Sequence, residues 1–312
     1  MIATVTLNPA IDKSLTVPGF EVGKTNRGEV ARTDAGGKGV NVAQAIKRFG
    51  LPVCALGLVA GRNGRFILEA LSAAGIPADF ITVPGETRVN LKIHDPVKGT
   101  ETELNEPGFS VPPERLAEMR RKIEAYAPRC EVMVFSGSLP LDAPPETFGD
   151  FITIAKNCGA KCILDTAGAA LRHGLAAGPC LIKPNRAEVE GLLQKPLRTS
   201  HELAEAARTL IAMGTQQVVI SLGAEGALGA TQDEVLIARP PAVKVQSSIG
   251  AGDTMVAVLA FALVEGMPFR QAFRLAVAAS AATVAMEGTK VADFAAAQDL
   301  VPQVKVEDAV AV

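Results

Sequence analysis

The segment at 247–254 reads SSIGAGDT and leads directly into an apolar stretch. Gly250 and Gly252 can adopt backbone angles that other residues avoid, which lets successive N–H groups, including that of Ala251, point at one spot. A helix that begins near Asp253 adds the positive end of its dipole, and Asp253 can accept a proton from an attacking hydroxyl. Amides beside a base indicate phosphoryl transfer, although a plain turn with Asp253 as helix N-cap fits the same letters.

Short apolar runs rich in β-branched residues alternate with amphipathic stretches along the chain. The strand-like runs lie at 53–59, 132–135, 162–164, 181–182 and 218–221. Helix ends are marked by a glycine with a proline two residues later, as at Gly50 and Pro52 or Gly266 and Pro268. This alternation predicts an α/β fold in which a mostly parallel central sheet is flanked by helices.

Two stretches interrupt the alternation. Residues 12–33 and 87–105 are polar, alternate with a period of two and contain turn residues such as Pro18-Gly19 and Lys98-Gly99. We predict that both form strands outside the main sheet and together make a small β-sheet lid. The α/β core that binds nucleotide and substrate then comprises residues 1–11, 34–86 and 106–312.

Four further motifs stand in order ahead of the segment at 247–254. They read DAGGKGVN at 34–41, SGSLP at 136–140, KPNRAE at 183–188 and SLGAEGA at 221–227. The whole set resembles the PfkB branch of the ribokinase-like carbohydrate kinases, across nearly the full chain. TLNPAID at 6–12 and TRVN at 87–90 are most similar to 1-phosphofructokinases and tagatose-6-phosphate kinases. The resemblance implies an ATP-dependent kinase that acts on a sugar phosphate, with a ribokinase-like fold.

The resemblance also implies which residues bind the sugar. An acid and an amide, Asp12 and Asn41, match the pair that satisfies sugar hydroxyls, and Arg88 can grip a pre-existing phosphate bidentately. Lys24 supplies a second cation from the other lid segment, although either cation also fits an exposed strand face. The remaining residues predicted to bind substrate are Gly36, Gly37, Lys38, Gly39, Asn90 and Ser138.

The same resemblance assigns the nucleotide side. Asn185 and Glu188 fit the Asn-x-x-Glu motif of the family, in which the glutamate helps to hold Mg²⁺, often through water. Asn185 also fits a plain helix start. Lys183 and Asp165 flank the same predicted edge of the sheet, and Ser247, Ile249 and Gly288 match a monovalent-cation site. The full set of predicted nucleotide-binding residues is Lys183, Asn185, Ser221, Gly223, Gly226, Ser248, Gly250 and Gly252.

Several substrates and one other function remain open. Fructose 1-phosphate, phosphorylated at carbon 6 with Asp253 as general base, is the leading substrate. Tagatose 6-phosphate and fructose 6-phosphate are alternatives, because a ketohexose turned end for end presents its other terminus to the same base. A catalytically silent sugar-phosphate sensor is an alternative of another class, which the intact 250–253 segment disfavours. A nucleoside kinase would leave Arg88 without a phosphate to bind.

Composition limits the partners. The chain of 312 residues has 31 basic and 33 acidic side chains, and this near balance gives no electrostatic footprint for nucleic acid or an anionic membrane. Its five scattered cysteines lack the spacing of a metal site and are typical of reduced thiols, so we expect a cytoplasmic protein. No signal peptide is evident. The lid's apolar face needs a cover, which in the kinases that the chain resembles is the substrate or a partner subunit, so we also expect a homodimer formed through the lid.

Overall fold

The computed structural model describes residues 1–247, 250–286 and 291–309. Within them the strands are β1 Ile2–Thr6, β2 Ala10–Thr16, β3 Glu29–Gly36, β4 Val53–Ala60, β5 Ala78–Val83, β6 Arg88–Asp95, β7 Thr100–Asn105, β8 Val132–Ser136, β9 Lys161–Asp165, β10 Leu181–Ile182, β11 Gln217–Ser221, β12 Ala227–Ala230, β13 Val235–Arg239 and β14 Lys305–Asp308. The helices are α1 Lys38–Arg48, α2 Gly61–Ala73, α3 Pro113–Tyr126, α4 Thr147–Asn157, α5 Gly168–Ala176, α6 Arg186–Leu193, α7 Ser200–Ala212, α8 Ala251–Val264, α9 Phe269–Val284 and α10 Phe294–Leu300.

The main sheet has ten strands in the order β14-β13-β12-β11-β10-β9-β8-β1-β4-β5. All neighbours from β11 through to β5 are parallel, whereas β12, β13 and β14 add an antiparallel edge. The α/β prediction is confirmed, and the five predicted strand runs coincide with β4, β8, β9, β10 and β11. The antiparallel edge was not predicted.

Helices cover both faces of this sheet. In β1, Ala3 and Val5 point into the core shared with α3, α4, α5, α6 and α7, while Ile2 points into the core shared with α1, α2, α8, α9 and α10. This alternation follows from the pleat of a strand, whose successive side chains leave on opposite faces. In sheets of this kind ligands bind at the carboxyl ends of the parallel strands.

Helix α8 is apolar on all sides and lies in the middle of one helical layer. It packs against α1, α9, β8 and β9, and Met255 through Ala260 are all buried. The helix begins at Ala251, after Gly250 in the left-handed region with φ 76°. The plain alternative in which Asp253 serves as N-cap is therefore wrong, because Gly250 holds that position.

A second sheet contains four strands in the order β3-β2-β6-β7. The central pair β2 and β6 is parallel, and the outer pairs are antiparallel. The two stretches that interrupt the alternation do form strands outside the main sheet. The strands begin and end at other residues than predicted, however: β2 starts at Ala10, β3 continues to Gly36, and residues 17–28 form turns.

The two faces of the second sheet differ in character. Asp12, Asn90 and Lys92 share one face, whereas Leu15, Val30 and Leu104 belong to the other. The apolar face packs at its base on α2 through Ile11 and Ala35. Farther out, Val30 is 56% exposed and Leu104 is 55% exposed.

Two further features concern membrane-spanning helices and the state of the cysteines. None of the helices in the described ranges combines the length and apolar character that crossing a bilayer requires. All five cysteines are free thiols.

Candidate active site

Four elements bring charged and polar side chains together at the carboxyl edge of the main sheet. Helix α1 carries Lys38 and Asn41, β9 ends at Asp165, Lys183 follows β10, and Asp253 lies in the first turn of α8. Asn41 and Asp253, which are 212 positions apart in the chain, are hydrogen-bonded, and Asp165 contacts both Lys38 and Lys183. The parallel order of the strands makes this possible, because every strand from β8 to β11 ends at the same edge.

Asp253 is held in place by Asn41. Its carboxylate is 8% exposed and accepts a hydrogen bond of 2.7 Å from Asn41 Nδ2. Burial, and next the negative charge of Asp165, raise the pKa of Asp253 to about 6, while Asn41 and the nearby lysines oppose the shift. At neutral pH the carboxylate is still mostly ionised, so it can act as a base.

Asp165 joins two lysines. Its side chain is 1% exposed and accepts a 3.0 Å hydrogen bond from Lys38 Nζ, with Lys183 Nζ at 3.6 Å. Burial alone would raise the pKa of Asp165, but the charges of Lys183 and Lys38 hold it below its ordinary value. Burial likewise opposes ionisation of Lys38, but Asp165 and Glu188 outweigh it and raise the pKa of that ammonium.

The start of α8 presents backbone amides beside a cation. The first N–H groups of a helix have no intrahelical partner, and among the described residues the first such bond runs from Thr254 N to Gly250 O at 2.8 Å. A Cβ placed on Gly252 would lie 3.4 Å from Lys183 Nζ, so the ammonium lies next to this helix end. Amides of Ala251 and Gly252, a lysine and the helix dipole together favour an anion there.

The glycines at the start of α1 allow three segments of the protein to approach one another. A Cβ on Gly36 would lie 2.6 Å from the Asp12 carboxylate, and one on Gly39 would lie 2.3 Å from Thr6 Oγ1. Gly37 has φ 105° and serves as the N-cap of α1. The space that these glycines leave is thus filled by the protein itself, and their contact with a sugar stays a prediction.

The polar face of the second sheet adds a second group of side chains. Asp12 is 4% exposed, accepts a 2.9 Å hydrogen bond from Asn90 Nδ2, and has Lys92 Nζ at 3.6 Å. Arg88 Nη1 donates to Asn90 Oδ1 and to the Glu106 carbonyl, both at 3.1 Å. The structure therefore brings Asp12, Arg88 and Asn90 together.

Two predicted substrate residues have other surroundings. Ser138 Oγ accepts a 3.1 Å hydrogen bond from Asn8 Nδ2, and Asn8 also donates to the carbonyls of Pro107 and Leu139. Lys24 lies in the exposed connection between β2 and β3 and forms an ion pair of 2.6 Å with Glu21. Among the described residues it makes no contact with the rest of the predicted site. Its role toward a substrate phosphate remains a prediction.

The predicted nucleotide residues line up on neighbouring strand ends. Asn185 and Glu188 form a capping box at the start of α6, so the plain helix-start interpretation of Asn185 describes its present contacts. Asn185 also forms a parallel bridge to Ser221 at the end of β11. Gly223 has φ 62° beside open space, whereas a Cβ on Gly226 would lie 2.0 Å from the Ala238 carbonyl.

Oxygen atoms suited to Mg²⁺ occur at this edge, although they do not form a complete cage. Among the described residues, no group of three or more His, Cys, Asp or Glu side chains could hold a metal. Glu188 Oε1 lies 3.7 Å from Lys38 Nζ, and Asp165 Oδ2 is buried without a hydrogen-bond partner in that part of the chain. A hydrated ion that is also bound by phosphates fits such a sparse carboxylate set.

Part of the predicted site lies outside the described residues. This applies to Ser248, predicted for the nucleotide, and to Ile249 and Gly288, predicted for a monovalent cation. Ser247 is described and buried, and its backbone N–H donates to the Val284 carbonyl at 3.2 Å.

One residue of the polar face was missed by the sequence analysis. Lys92 lies four residues after Arg88 and two after Asn90 on the same strand, and its side chain is 15% exposed. The period-two alternation of β6 carries the signal, because residues 88, 90 and 92 must share a face. The same alternation that predicts the strand, followed two residues beyond Asn90, also predicts Lys92 on the polar face.

Comparisons with known proteins agree with this geometry. The model of the pfkB family carbohydrate kinases matches residues 5–293. A 1-phosphofructokinase of Rhodobacter capsulatus is 39% identical over 280 residues, which cover 89% of each chain. The 1-phosphofructokinase of Xanthomonas campestris pv. campestris is 40% identical over 282 residues, again covering 89% of each chain.

A solved structure supports the same grouping. Phosphofructokinase-2 from Escherichia coli in complex with potassium superposes with a TM-score of 0.91 at 30% identity, covering 97% of this chain and 98% of the other. That enzyme has also been solved with fructose-6-phosphate and in a tetrameric inhibited form.

Proposed function

Because the chain belongs to the pfkB family of carbohydrate kinases, we propose that it transfers the γ-phosphoryl group of ATP to carbon 6 of fructose 1-phosphate. The product is fructose 1,6-bisphosphate. One observation carries the proposal: a buried carboxylate, Asp253, is aligned by Asn41 at the amide-rich start of α8, with two lysines beside it. This arrangement combines a base with a place for the negative charge of a phosphoryl group in transfer.

Each residue at the sheet edge then has a distinct task. Asp253 accepts the proton of the attacking hydroxyl, and Asn41 fixes the direction of the accepting carboxylate oxygen. Lys38 and Lys183 stabilise charge on the phosphoryl oxygens, as do the amides of Ala251 and Gly252. Positioning of the two reactants supplies most of the acceleration in phosphoryl transfer, and a network anchored by buried charges supports it.

ATP is proposed to lie along the strand ends that carry Lys183, Asn185 and Ser221, with Gly223 and Gly226 in the adjoining turn. Mg²⁺ would be held by Glu188 and Asp165, in part through water, and would neutralise phosphate charge when bound. A monovalent cation near Ser247 is proposed as well, and the potassium complex of the Escherichia coli enzyme supports that idea by analogy.

The substrate end of the site favours a sugar that already carries a phosphate. Two cations, Arg88 and Lys92, lie around Asp12 on the polar face of the second sheet. A phosphate on the sugar would accept hydrogen bonds from both cations, whereas a neutral sugar offers no anion to them. Fructose 1-phosphate is preferred over fructose 6-phosphate because identity to the two bacterial 1-phosphofructokinases exceeds identity to the Escherichia coli phosphofructokinase-2.

We also propose that two chains pair through the apolar face of the second sheet. Val30 and Leu104 are both more than half exposed there, and a partner would remove them from water. Pairing and closure of the lid would exclude water from the transfer step. Free thiols at all five cysteines fit a cytoplasmic location.

An assay with a panel of acceptors tests the proposal. We expect the highest kcat/KM with ATP and fructose 1-phosphate, and lower values with fructose 6-phosphate, tagatose 6-phosphate and free fructose. Equal efficiency on fructose and fructose 1-phosphate would refute the phosphosugar assignment. A protein that binds fructose 1-phosphate without ATP turnover on any acceptor would instead be the catalytically silent sensor.

A further inference from the structure

A second cationic cavity lies on the other side of the β11–β12 connection. It has a volume of about 420 Å³, and we call it the arginine pocket. Its floor is apolar, with Leu203 from α7, Leu228 from β12 and Ile237 from β13. Its rim carries the guanidinium groups of Arg186, Arg198 and Arg239.

The rim has more positive charge than its own contacts neutralise. Glu225 is the only acidic residue among the described residues that line the cavity, and it forms a 2.9 Å ion pair with Arg186. Arg198 and Arg239 are exposed, and neither guanidinium has an ion pair or hydrogen bond within the described ranges. In addition, Arg186 Nε is buried and lacks a partner there. Three arginines against one glutamate favour an anion.

The arginine pocket is separate from the phosphoryl-transfer site. Leu203 and Leu228 belong to the core on the α7 face of the sheet, whereas Ala227 and Ala238 belong to the core beneath α8 and α9. Asp253 lies on α8, so the sheet separates it from the pocket. The connection at 222–226 is common to both places, because Leu222, Ala224 and Glu225 line the pocket and Gly223 and Gly226 are predicted to bind nucleotide.

We propose that the arginine pocket binds a small organic phosphate, and that its occupancy alters nucleotide binding through the 222–226 connection. The phosphate oxygens would accept from Arg198 and Arg239, whose planar guanidinium groups match such oxygens bidentately. A small organic body would cover Leu222, Ile237 and Pro240, the apolar lining residues that are partly exposed. A cavity of about 420 Å³ is within the size range of small-molecule sites.

The route of coupling is a single ion pair. Arg186 is the first residue of α6 and directly follows Asn185, whose side chain caps that helix. Its guanidinium reaches across to Glu225 in the 222–226 connection. A bound phosphate competes with Glu225 for Arg186, so occupancy shifts the contact between α6 and the nucleotide connection. The binding step does not depend on the proposed kinase reaction, whereas the effect on ATP rests on it.

Calorimetric titration of the full chain tests binding. The probe is phenyl phosphate, and neither ADP nor fructose 1-phosphate is added, because both carry phosphate groups that would compete for the pocket. Binding of the probe at the transfer site would persist in Arg198→Gln/Arg239→Gln, so the double variant separates the two sites. We expect one equivalent to bind, and binding to weaken about tenfold or more in Arg198→Gln/Arg239→Gln. The matched control Arg65→Gln/Arg121→Gln removes two exposed arginines on α2 and α3 and is expected to bind like wild type. Glu225→Gln frees Arg186 and is expected to tighten binding.

Other outcomes contradict the proposal. No binding by wild type, or equal weakening in both double variants, would overturn the site itself. Equal affinity for inorganic phosphate and phenyl phosphate would overturn the role of the apolar floor, and binding of benzyl alcohol would overturn the role of charge. For coupling, phenyl phosphate should change the KM for ATP in wild type but not in Arg198→Gln/Arg239→Gln. An unchanged KM with intact probe binding would refute the coupling alone.

Discussion

The carboxyl edge of the main sheet and the polar face of the second sheet are built in different ways. At the main sheet, Asp253, Asp165 and Lys183 are nearly inaccessible; Lys183 contacts Asp165, and Asn41 holds Asp253. On the second sheet, Arg88 donates to the Glu106 carbonyl and Lys92 is 15% exposed, while Val30 and Leu104 of the same sheet are more than half exposed. The side chains of the first region are already held in place by one another without substrate. In the second region the cations contact neighbouring protein groups, and a substrate would have to bind to them in place of those groups.

The largest expected effect tests the preorganised region. Asp253→Asn should lower kcat by about 10² to 10⁴, because proton acceptance is lost while the shape of the side chain is kept. Steady-state kinetics with ATP and fructose 1-phosphate measure this. Circular dichroism of the variant is the control for folding. Near-normal turnover by a folded variant would show that Asp253 is not the general base. The main difference between the two regions would then no longer hold.

The second effect tests the recruited region. Arg88→Ala should raise KM for fructose 1-phosphate by an amount that corresponds to about 1.5 to 3 kcal/mol, because charge-assisted bonds to the phosphate are lost. The KM for ATP should move much less. Arg88→Lys should recover only part of the loss, since an ammonium keeps the charge but not the planar fork. A rise in both KM values by the same factor would show that Arg88 supports the whole site.

The third effect concerns stability and has the opposite sign to the loss of activity. The pKa of Asp253 rises from 3.8 to about 6 on folding, so ionisation of the carboxylate above that range disfavours the folded state. Asp253→Asn removes this cost and should raise the free energy of unfolding above pH 6 by about 2 to 3 kcal/mol at most. The gain should vanish below about pH 4, where both forms of the wild type are protonated. Urea unfolding at several pH values measures it, with Asn157→Asp on α4 as an exposed control.

The fourth effect is a shift in the pH profile. Activity should fall as pH drops through about 6, because Asp253 becomes protonated. The negative charge of Asp165 is the second largest contributor to that raised pKa, so Asp165→Asn should move the acid limb of kcat to lower pH. A mere loss of packing would lower kcat without moving the limb, and that result would exclude the electrostatic role.

The smallest effect tests the exposed apolar face. Leu104→Asp should weaken self-association, which sedimentation equilibrium at micromolar concentration measures, and should leave phosphoryl transfer chemistry intact. Hydrogen exchange at 87–105 should slow in wild type when fructose 1-phosphate binds. A wild-type monomer whose exchange in this segment is unchanged by substrate would contradict both pairing and closure.

Some features of the fold and of the site could be predicted from the sequence and others could not, and the difference has physical causes. Motifs such as DAGGKGVN and SSIGAGDT were sufficient to predict Asn41 and Asp253, because the strand order of the fold forces their segments to one edge. The antiparallel edge of β12, β13 and β14 escaped prediction, since short strands joined by tight turns have weak periodicity. Helix α8 begins at Ala251, two residues before Asp253, because Gly250 takes the N-cap position in the left-handed conformation.

Contacts between side chains were harder to predict from the sequence than strands or helices. Glycines at 36 and 39 were assigned to a sugar, but the structure fills the space next to them with Asp12 and Thr6. Lys24 was placed beside Arg88, yet the connection between β2 and β3 forms turns in which Lys24 pairs with Glu21. Both sets of contacts depend on how segments that are distant in the sequence pack together, and a local sequence pattern does not specify that packing.

The contact between Asn41 and Asp253 also determines how late in synthesis the active site can form. The two residues are 212 positions apart, and α8 occupies the centre of its helical layer, against α1 from the other end of the chain. While the ribosome is still making residues beyond α7, α1 can pack on β1, β4 and β8, but the surface that it shares with α8 has no cover. The nascent chain must therefore expose an apolar surface that is prone to aggregation until its last quarter emerges from the ribosome. Chaperones that shield such surfaces should bind the chain during that interval.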